Sequence, residues 1–308
     1  MLPISMTIDD SFFREEERCG FLVTEERKKL WAVELDLLVQ LDRVCRAHGL
    51  KYCVGAGTML GAVRHKGFIP WDDDMDVYMM RPDYDRLMKL ADEFQLPYLL
   101  QTSQNEKHLI RTYARVRNVM TTGTTKKELD LDVNKGIFID IFPLDGVGED
   151  EKTDLRQHRI NTFQKNVSGC YNHAKGTGEG LGMKQKLLRI GYKVVAAVFV
   201  RDRLKMVRKM DRNLTLYSRK DTKIWGNRTL VFACPKSRRP KEDYCDLIDM
   251  PFEMITVPVP RAYDSMLTQQ YGDYMKLPEN KVGSVHGELI YSTEQSFEDF
   301  VRSGGLKK

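Results

Sequence analysis

Four carboxylates fall within five residues: Asp72, Asp73, Asp74 and Asp76. In an extended chain, residues two apart share a face. Asp74 and Asp76 therefore point the same way, while Met75 and Val77 turn toward a core. Two carboxylates held about 7 Å apart along a strand can share a hard divalent cation. An acid run is ordinarily a solvated turn. Here the acids alternate with Met75, Val77 and Met79, and a carboxylate on a half-buried strand is costly unless a cation or hydrogen bonds compensate it.

Upstream lies Gly55-Ala56-Gly57-Thr58, between an expected strand and an expected helix. Glycines permit close backbone approach, and a helix N-terminus offers free N–H groups to an anion. Followed by an Asp-x-Asp strand, this turn reads as a phosphate cradle beside a metal site. Arg64, His65 and Lys66 add cationic groups, and Arg64 is the best suited to a bidentate phosphate contact. His65 reads more simply as a surface histidine. A further acid, Asp140, interrupts the apolar run Ile137 to Phe142. It is either a third metal ligand or a buried, hydrogen-bonded carboxylate, and the incomplete first site favours the ligand. Asp145, beyond Pro143, is explained as well by turn chemistry as by function.

The elements that must position these groups are partly legible. Residues 1–23 read as an irregular lead-in. Thr24 is a good N-cap, with Glu25 and Glu26 in a first turn where the helix dipole favours acids. Leu30, Leu37, Leu38, Leu41, Val44 and Cys45 then recur at helical spacing, and Gly49 closes the segment. A short strand is expected at 52–54, a short helix at 59–64, a turn at 65–67 and a strand at 74–79. Pro82 suits the first turn of a helix, and strands are expected near 98–101, 110–119 and 137–142. From about 152 the pattern is helical, with one or two long helices over 184–217. Pro258 and Pro260 punctuate an expected linker before a helix near 262–271. The division that results is a lead-in (1–23), a core (24–150), a mainly helical lobe (151–250) and a C-terminal segment packing on the core (251–308).

Composition narrows the class. The chain has 308 residues, 42% hydrophobic and 30% charged, which fits a globular protein and excludes a mostly disordered one. The net charge of +5 is too small to argue for nucleic acid. The cysteines, Cys19, Cys45, Cys53, Cys170, Cys234 and Cys245, form no Cys-x-x-Cys pair and read as free thiols of a reducing compartment. Cys170 and His173 alone are weak grounds for zinc. The first residues lack a basic start followed by an apolar run, and no apolar run of about 18 residues occurs. A cytoplasmic protein is expected.

The sequence resembles the LicD family, whose core is related to fukutin-related proteins and to the broader nucleotidyltransferase fold. Gly57-Thr58, Leu60-Gly61-Ala62-Val63-Arg64-His65, Gly67-Phe68-Ile69-Pro70-Trp71-Asp72-Asp73-Asp74 and Asp76 carry the likeness. Gly136-Ile137-Phe138-Ile139-Asp140-Ile141-Phe142-Pro143 forms a second block. Val257-Pro258-Val259-Pro260 and Tyr271-Gly272-Asp273-Tyr274-Met275-Lys276-Leu277-Pro278 form a third.

The resemblance implies an α/β (α+β) fold, a nucleotidyltransferase-like mixed sheet flanked by helices, with an additional helical lobe. It implies a transferase that moves a phospho-alcohol, foremost phosphocholine, from a CDP-activated donor such as CDP-choline to a cell-surface glycan such as lipopolysaccharide, teichoic acid or capsule. Asp74 and Asp76 match the family's metal-binding pair, and Asp140 matches its third carboxylate. On this reading Gly57, Thr58 and Arg64 hold the diphosphate, and Asp74, Asp76 and Asp140 bind Mg²⁺ or Mn²⁺. Asp140 also activates the acceptor hydroxyl, directly or as a ligand. The alternative is a nucleotidyltransferase that transfers NMP and releases pyrophosphate.

Residues 184–212 carry ten Lys or Arg and two acids, a net of +8 that leaves the rest of the chain at −3. Within them, Val194 to Val200 is apolar but too short to span a bilayer. An apolar patch flanked by cations suits an interfacial helix on an anionic membrane, peripheral on its inner face, where a lipid-linked acceptor would lie. An ordinary core helix with a solvated basic face fits equally, and both readings stay open.

Overall fold

The computed structural model describes residues 2–148, 150–177, 182–218, 222–229, 237–279 and 289–307; Cys234 lies outside them. The chain opens on a hairpin, β1 (Glu16–Arg18) and β2 (Phe21–Val23). The irregular lead-in expected for 1–23 is thus corrected. Its turn residues, Cys19 and Gly20, both have positive φ (55° and 71°), the backbone a two-residue hairpin loop requires. Cys-Gly is not the usual dipeptide for it. Ahead of the hairpin, the buried Asp36 carboxylate accepts from the Ser5 and Met6 amides and the Ser5 and Tyr98 hydroxyls, which ties the segment to the core.

Helix α1 (Glu25–Ala47) begins where the sequence places it, with the Thr24 hydroxyl accepting from the Arg27 amide at 3.3 Å. All six of its predicted core residues are buried. There follow β3 (Cys53–Val54), α2 (Ala56–Leu60) and a π-helical turn, Gly61–His65, ended by Lys66 at φ 58°. Next come β4 (Asp76–Met80), α3 (Arg81–Leu87), β5 (Tyr98–Gln101), β6 (Ala114–Asn118), β7 (Thr122–Thr125) and β8 (Ile137–Gly146). Three helices follow: α4 (Glu151–Lys175), α5 (Met183–Phe199) and α6 (Arg203–Leu214). The remainder is β9 (Ile224–Asn227), β10 (Arg239–Pro240), β11 (Leu247–Phe252), β12 (Ile255–Pro260), α7 (Tyr263–Tyr271), β13 (Leu289–Ser292) and α8 (Phe297–Arg302).

The main sheet runs β10-β9-β8-β4-β3, with β6 also on β8 and β5 on β6. The β4–β8 pair is parallel and its other pairs are antiparallel. This is the expected α/β mixed sheet flanked by helices. Strand β8 is its spine: β4 pairs residues 140–144, while β6 and β9 pair 137–141 and 144–146. The overlaps put β4 on one edge and β6 and β9 on the other. The expected end of this strand at Phe142 is too early, because these pairings carry it through Pro143. On the core side, Trp31 of α1 stacks on Phe68 at 4.7 Å, and Phe68 meets Phe252 edge-on at 4.9 Å.

Two further expectations change. Pro258 and Pro260 lie in a strand, paired with Asp249 and Leu247, not in a linker; a two-stranded ribbon has an open edge where proline is tolerated. The helices expected over 184–217 end at Leu214, and within the mainly helical lobe drawn to 250 the strand β9 returns the chain to the main sheet. Helices α4, α5 and α6 close over their own apolar cluster, which includes Val167, Tyr171, Ala196, Met206 and Met210.

Candidate active site

Parallel register sets Asp76 of β4 directly beside Asp140 of β8, and antiparallel register sets Asp140 beside Arg115 of β6. In-register neighbours in a sheet share a face about 5 Å apart, so Asp76, Asp140 and Arg115 form one row across three strands. The Arg115 Nε–H donates to Asp140 Oδ1 at 2.6 Å, and its Nη1 reaches Glu128 Oε2 at 3.1 Å. The Arg115 guanidinium lies over the Phe138 ring at 3.7 Å. Asp140 is thus a buried, hydrogen-bonded carboxylate, one of the two readings offered by sequence, and it stands in register with Asp76.

Strand β4 begins at Asp76, so Asp74 lies in the preceding loop, yet the expected alternation holds. Met75 and Val77 are fully buried, and Asp74 and Asp76 are half-buried. The loop is pinned from α1: the Asp72 carbonyl accepts from Arg27 Nη1 at 2.7 Å and Trp31 Nε1 at 3.3 Å. This brings Asp72, Asp73 and Asp74 together, with one carboxylate oxygen of each within 4.8 Å of the others. Glu34 of α1, buried behind them, has an Oε2 with no hydrogen-bond partner among the described residues.

These acids raise one another's pKa. Burial pushes Asp72 well above the usual carboxylate range, with the charges of Asp74 and Asp73 adding to it. Burial also raises Asp76, reinforced by Asp74, Asp140 and Asp72 against the pull of Arg115. Glu34 is raised by burial and then by Asp74, Asp73 and Asp72. Asp74 is thus the leading charge acting on three other carboxyls. An all-oxygen cluster of mutually repelling carboxylates, with an orphan carboxyl oxygen behind it, has the donor chemistry a hard divalent ion takes.

The predicted phosphate turn is differently built. Gly55 is the N-cap of α2, and Gly57 and Thr58 lie inside the helix instead of ahead of it. At Gly57 a Cβ would stand 2.8 Å from Asp72 Oδ2, so this glycine admits the acidic loop. The Thr58 hydroxyl accepts from the Asp76 amide at 2.8 Å, anchoring the strand that carries the site. Arg64 Nη1 donates to the Tyr274 carbonyl at 2.7 Å and its Nε–H to His65 Nε2 at 2.9 Å. His65 is no cationic group: burial and the nearby Arg64 and Arg18 push it down to about 4. Asp145 is not turn chemistry either. It is fully buried and takes a bidentate ion pair from Arg81, 2.7 Å at Nε, with the Ser218 hydroxyl at 2.8 Å. His173 pairs with Asp130 at 3.1 Å.

Sequence reasoning missed several residues here. Asp72 and Asp73 were visible in the acid run, but strand periodicity singled out only Asp74 and Asp76. Tyr271, at the end of α7, is partly exposed, and its hydroxyl pKa is raised by partial burial and by the charges of Asp76, Asp72 and Asp74. Its signal was the Tyr-Gly-Asp-Tyr block. Arg115 carried a weaker one, a cation inside an apolar strand. A cavity of about 230 Å³ bordered by Tyr52, Tyr78, Trp225 and Tyr244 has Lys51 and Lys241 in its wall. Asp83 lines it as well, and none of the clustered site carboxylates does, so the cavity is not assigned to the site.

The fold is an α/β mixed sheet with a carboxylate cluster at the edge of its parallel strand pair, and the family description LicD/FKTN/FKRP, nucleotidyltransferase domain, matches residues 49–169. The lipopolysaccharide cholinephosphotransferase LicD of Haemophilus influenzae is 30% identical over 265 residues, 82% of this chain and 92% of that protein. An uncharacterized protein of Rickettsia typhi is 30% identical over 129 residues, 42% of this chain and 39% of that one. The chain belongs to the LicD family. Among the described residues no helix is long and apolar enough to cross a membrane.

Proposed function

We propose that the protein is a metal-dependent phosphotransferase that moves phosphocholine from CDP-choline to a cell-surface glycan of the lipopolysaccharide type. The observation that carries this reading is the in-register Asp76–Asp140 pair beside the Asp72–Asp74 cluster, inside the matched stretch 49–169. Likeness to a cholinephosphotransferase over 82% of the chain supports the donor and acceptor classes.

Asp74, Asp76 and Asp140 would hold Mg²⁺ or Mn²⁺, with Asp72 and Asp73 at the same cluster. A divalent ion there neutralises charge on the diphosphate oxygens, the main requirement of phosphoryl transfer. The glycan hydroxyl oxygen attacks the phosphorus that bears choline. The bond from that phosphorus to the bridging oxygen breaks, and CMP leaves with the bridging oxygen. Asp140 activates the hydroxyl, either by accepting its proton directly or, as a ligand, by helping to hold an ion that would make the hydroxyl more acidic so that the proton passes to water. Thr58 acts through Asp76, and Arg64 acts through the Tyr274 segment beside Tyr271. Gly57 leaves the room that the acidic loop and a diphosphate both need.

The test is turnover of CDP-choline with a lipopolysaccharide acceptor, in Mg²⁺ and in EDTA, with the released nucleotide identified. CMP release that needs the divalent ion supports the reading. Release of pyrophosphate from a nucleoside triphosphate would establish the nucleotidyltransferase alternative instead.

A further inference from the structure

Helix α5 packs one side against the helical lobe and leaves an apolar side uncovered. Met183, Leu187, Ile190, Val194 and Val198 are each between 59% and 88% exposed. At about 100° per residue they fall within about 80° of arc, a stripe roughly 25 Å long. Ala196, the buried residue of this helix, lies on the opposite side. Lys184 flanks one margin of the stripe, Lys186 and Lys193 flank the other, and all three are exposed. An exposed stripe of this size on an otherwise ordinary surface marks an interaction site.

We propose that this face docks on an anionic lipid surface, with the stripe in the acyl boundary and the marginal lysines at the headgroups. Charge selects the occupant. Residues 184–212 are net +8, so a second copy seated on this face would bring two such segments together. The stripe also carries no polar side chain between its margins, which suits a fluid hydrocarbon layer better than a partner groove that must be recognised group by group. Lysines at both margins have the reach to keep their ammonium groups among headgroups while their stems lie on apolar surface.

The experiment is co-sedimentation of the full chain with vesicles of phosphatidylcholine alone, or of phosphatidylcholine with phosphatidylglycerol, across a salt series. Binding is expected to the anionic vesicles only, weakening as salt rises. Lys184→Gln, Lys186→Gln and Lys193→Gln together should weaken it on the order of 100-fold, about fivefold per lysine. Ile190→Asp with Val194→Asp, both at exposed positions, should abolish binding without changing the melting temperature. Absence of binding to either vesicle, or variants that bind like the parent, would overturn the inference. So would a dimer, seen by light scattering and dissolved by Val194→Asp, in a protein that ignores vesicles. Transfer to a soluble acceptor should be unchanged in every variant, so this idea and the proposed function fail separately.

Discussion

Replacing Asp74 with Asn should stabilise the metal-free fold while abolishing its response to metal. Asp74 is the leading charge acting on Asp72, Asp76 and Glu34. The Asp72, Asp73 and Asp74 oxygens lie within 4.8 Å of one another, and at an effective dielectric of about 20 each ionised pair at that separation repels by about 3.5 kcal/mol. Three such pairs approach about 10 kcal/mol. Protonating one carboxyl at neutral pH costs only about 4 kcal/mol, so without a cation the cluster takes up a proton and does not bear the full repulsion. Removing Asp74 relieves two of the three pairs. That ceiling, discounted for water reaching half-buried groups, leaves a gain of about 1–3 kcal/mol. In a chain this long that is a rise of about 2–6 °C in Tm. Mg²⁺ at about 100 times its Kd should stabilise the parent by about 2.7 kcal/mol and the variant by little. Thermal melts in EDTA and in Mg²⁺ at neutral pH read both effects. An Asp74→Asn protein that melts lower than the parent in EDTA, yet keeps the full Mg²⁺ shift, would refute the argument.

Other expectations follow from the same geometry. Asp76→Asn should cost at least about two orders of magnitude in turnover, the scale of one preorganised electrostatic group, with the fold retained by circular dichroism. Asp140→Ala should also inactivate, and it should lower stability by about 3–5 kcal/mol in a denaturant titration because Arg115 loses a buried partner; full activity would remove β8 from the site. Asp145→Ala should also cost stability, about 1–3 kcal/mol, because Arg81 loses its bidentate buried partner but keeps Asp211 and Asp85, with the Mg²⁺ shift of the folded protein intact. With pH the metal-free protein should melt lower as pH rises from mildly acidic to alkaline. The pKa values of Asp72, Asp76 and Glu34 are raised on folding, so their contribution is complete below about pH 4 and lost as pH climbs through the folded values. Glu128 has the opposite sign. Burial raises it, but Arg115, Arg111 and Arg117 overcome that and hold it below the usual range, so its contribution is lost in strong acid.

What could be read in advance was what repeats locally. Thr24 and the apolar spacing through Cys45 fix α1 within the helix itself, and the Asp-x-Asp alternation fixes which side chains of β4 turn outward. The parts that escaped depend on partners far away in the chain. Nothing near Pro258 says that Asp249 will pair with it, and nothing near Asp145 says that Arg81 will. The Gly55–Thr58 stretch was placed in the right neighbourhood with the wrong local form, because a helix starting at Ala56 and a turn before a helix at Met59 differ by one turn of backbone.

The row Asp76, Asp140, Arg115 shows why the site itself was only half legible. Each residue comes from a different strand, and the row exists only because a parallel register and an antiparallel one coincide at Asp140. Periodicity finds the candidates but cannot align strands. Arg115 then decides what the row can do. It compensates Asp140 directly and acts on Asp76 only at a distance, and among the described residues no ion pair to Asp76 is formed, which leaves it facing Asp74 and Asp72. The site is thus built from an arginine-paired carboxylate that fixes position and from clustered carboxylates that raise one another's cost of ionisation. Mutual repulsion of these carboxylates is unfavourable in the metal-free fold, and that cost is what a divalent ion would relieve on binding. A cluster engineered to be stable alone, by pairing Asp74 or Asp76 with a new lysine, would be expected to melt higher and not to bind the ion.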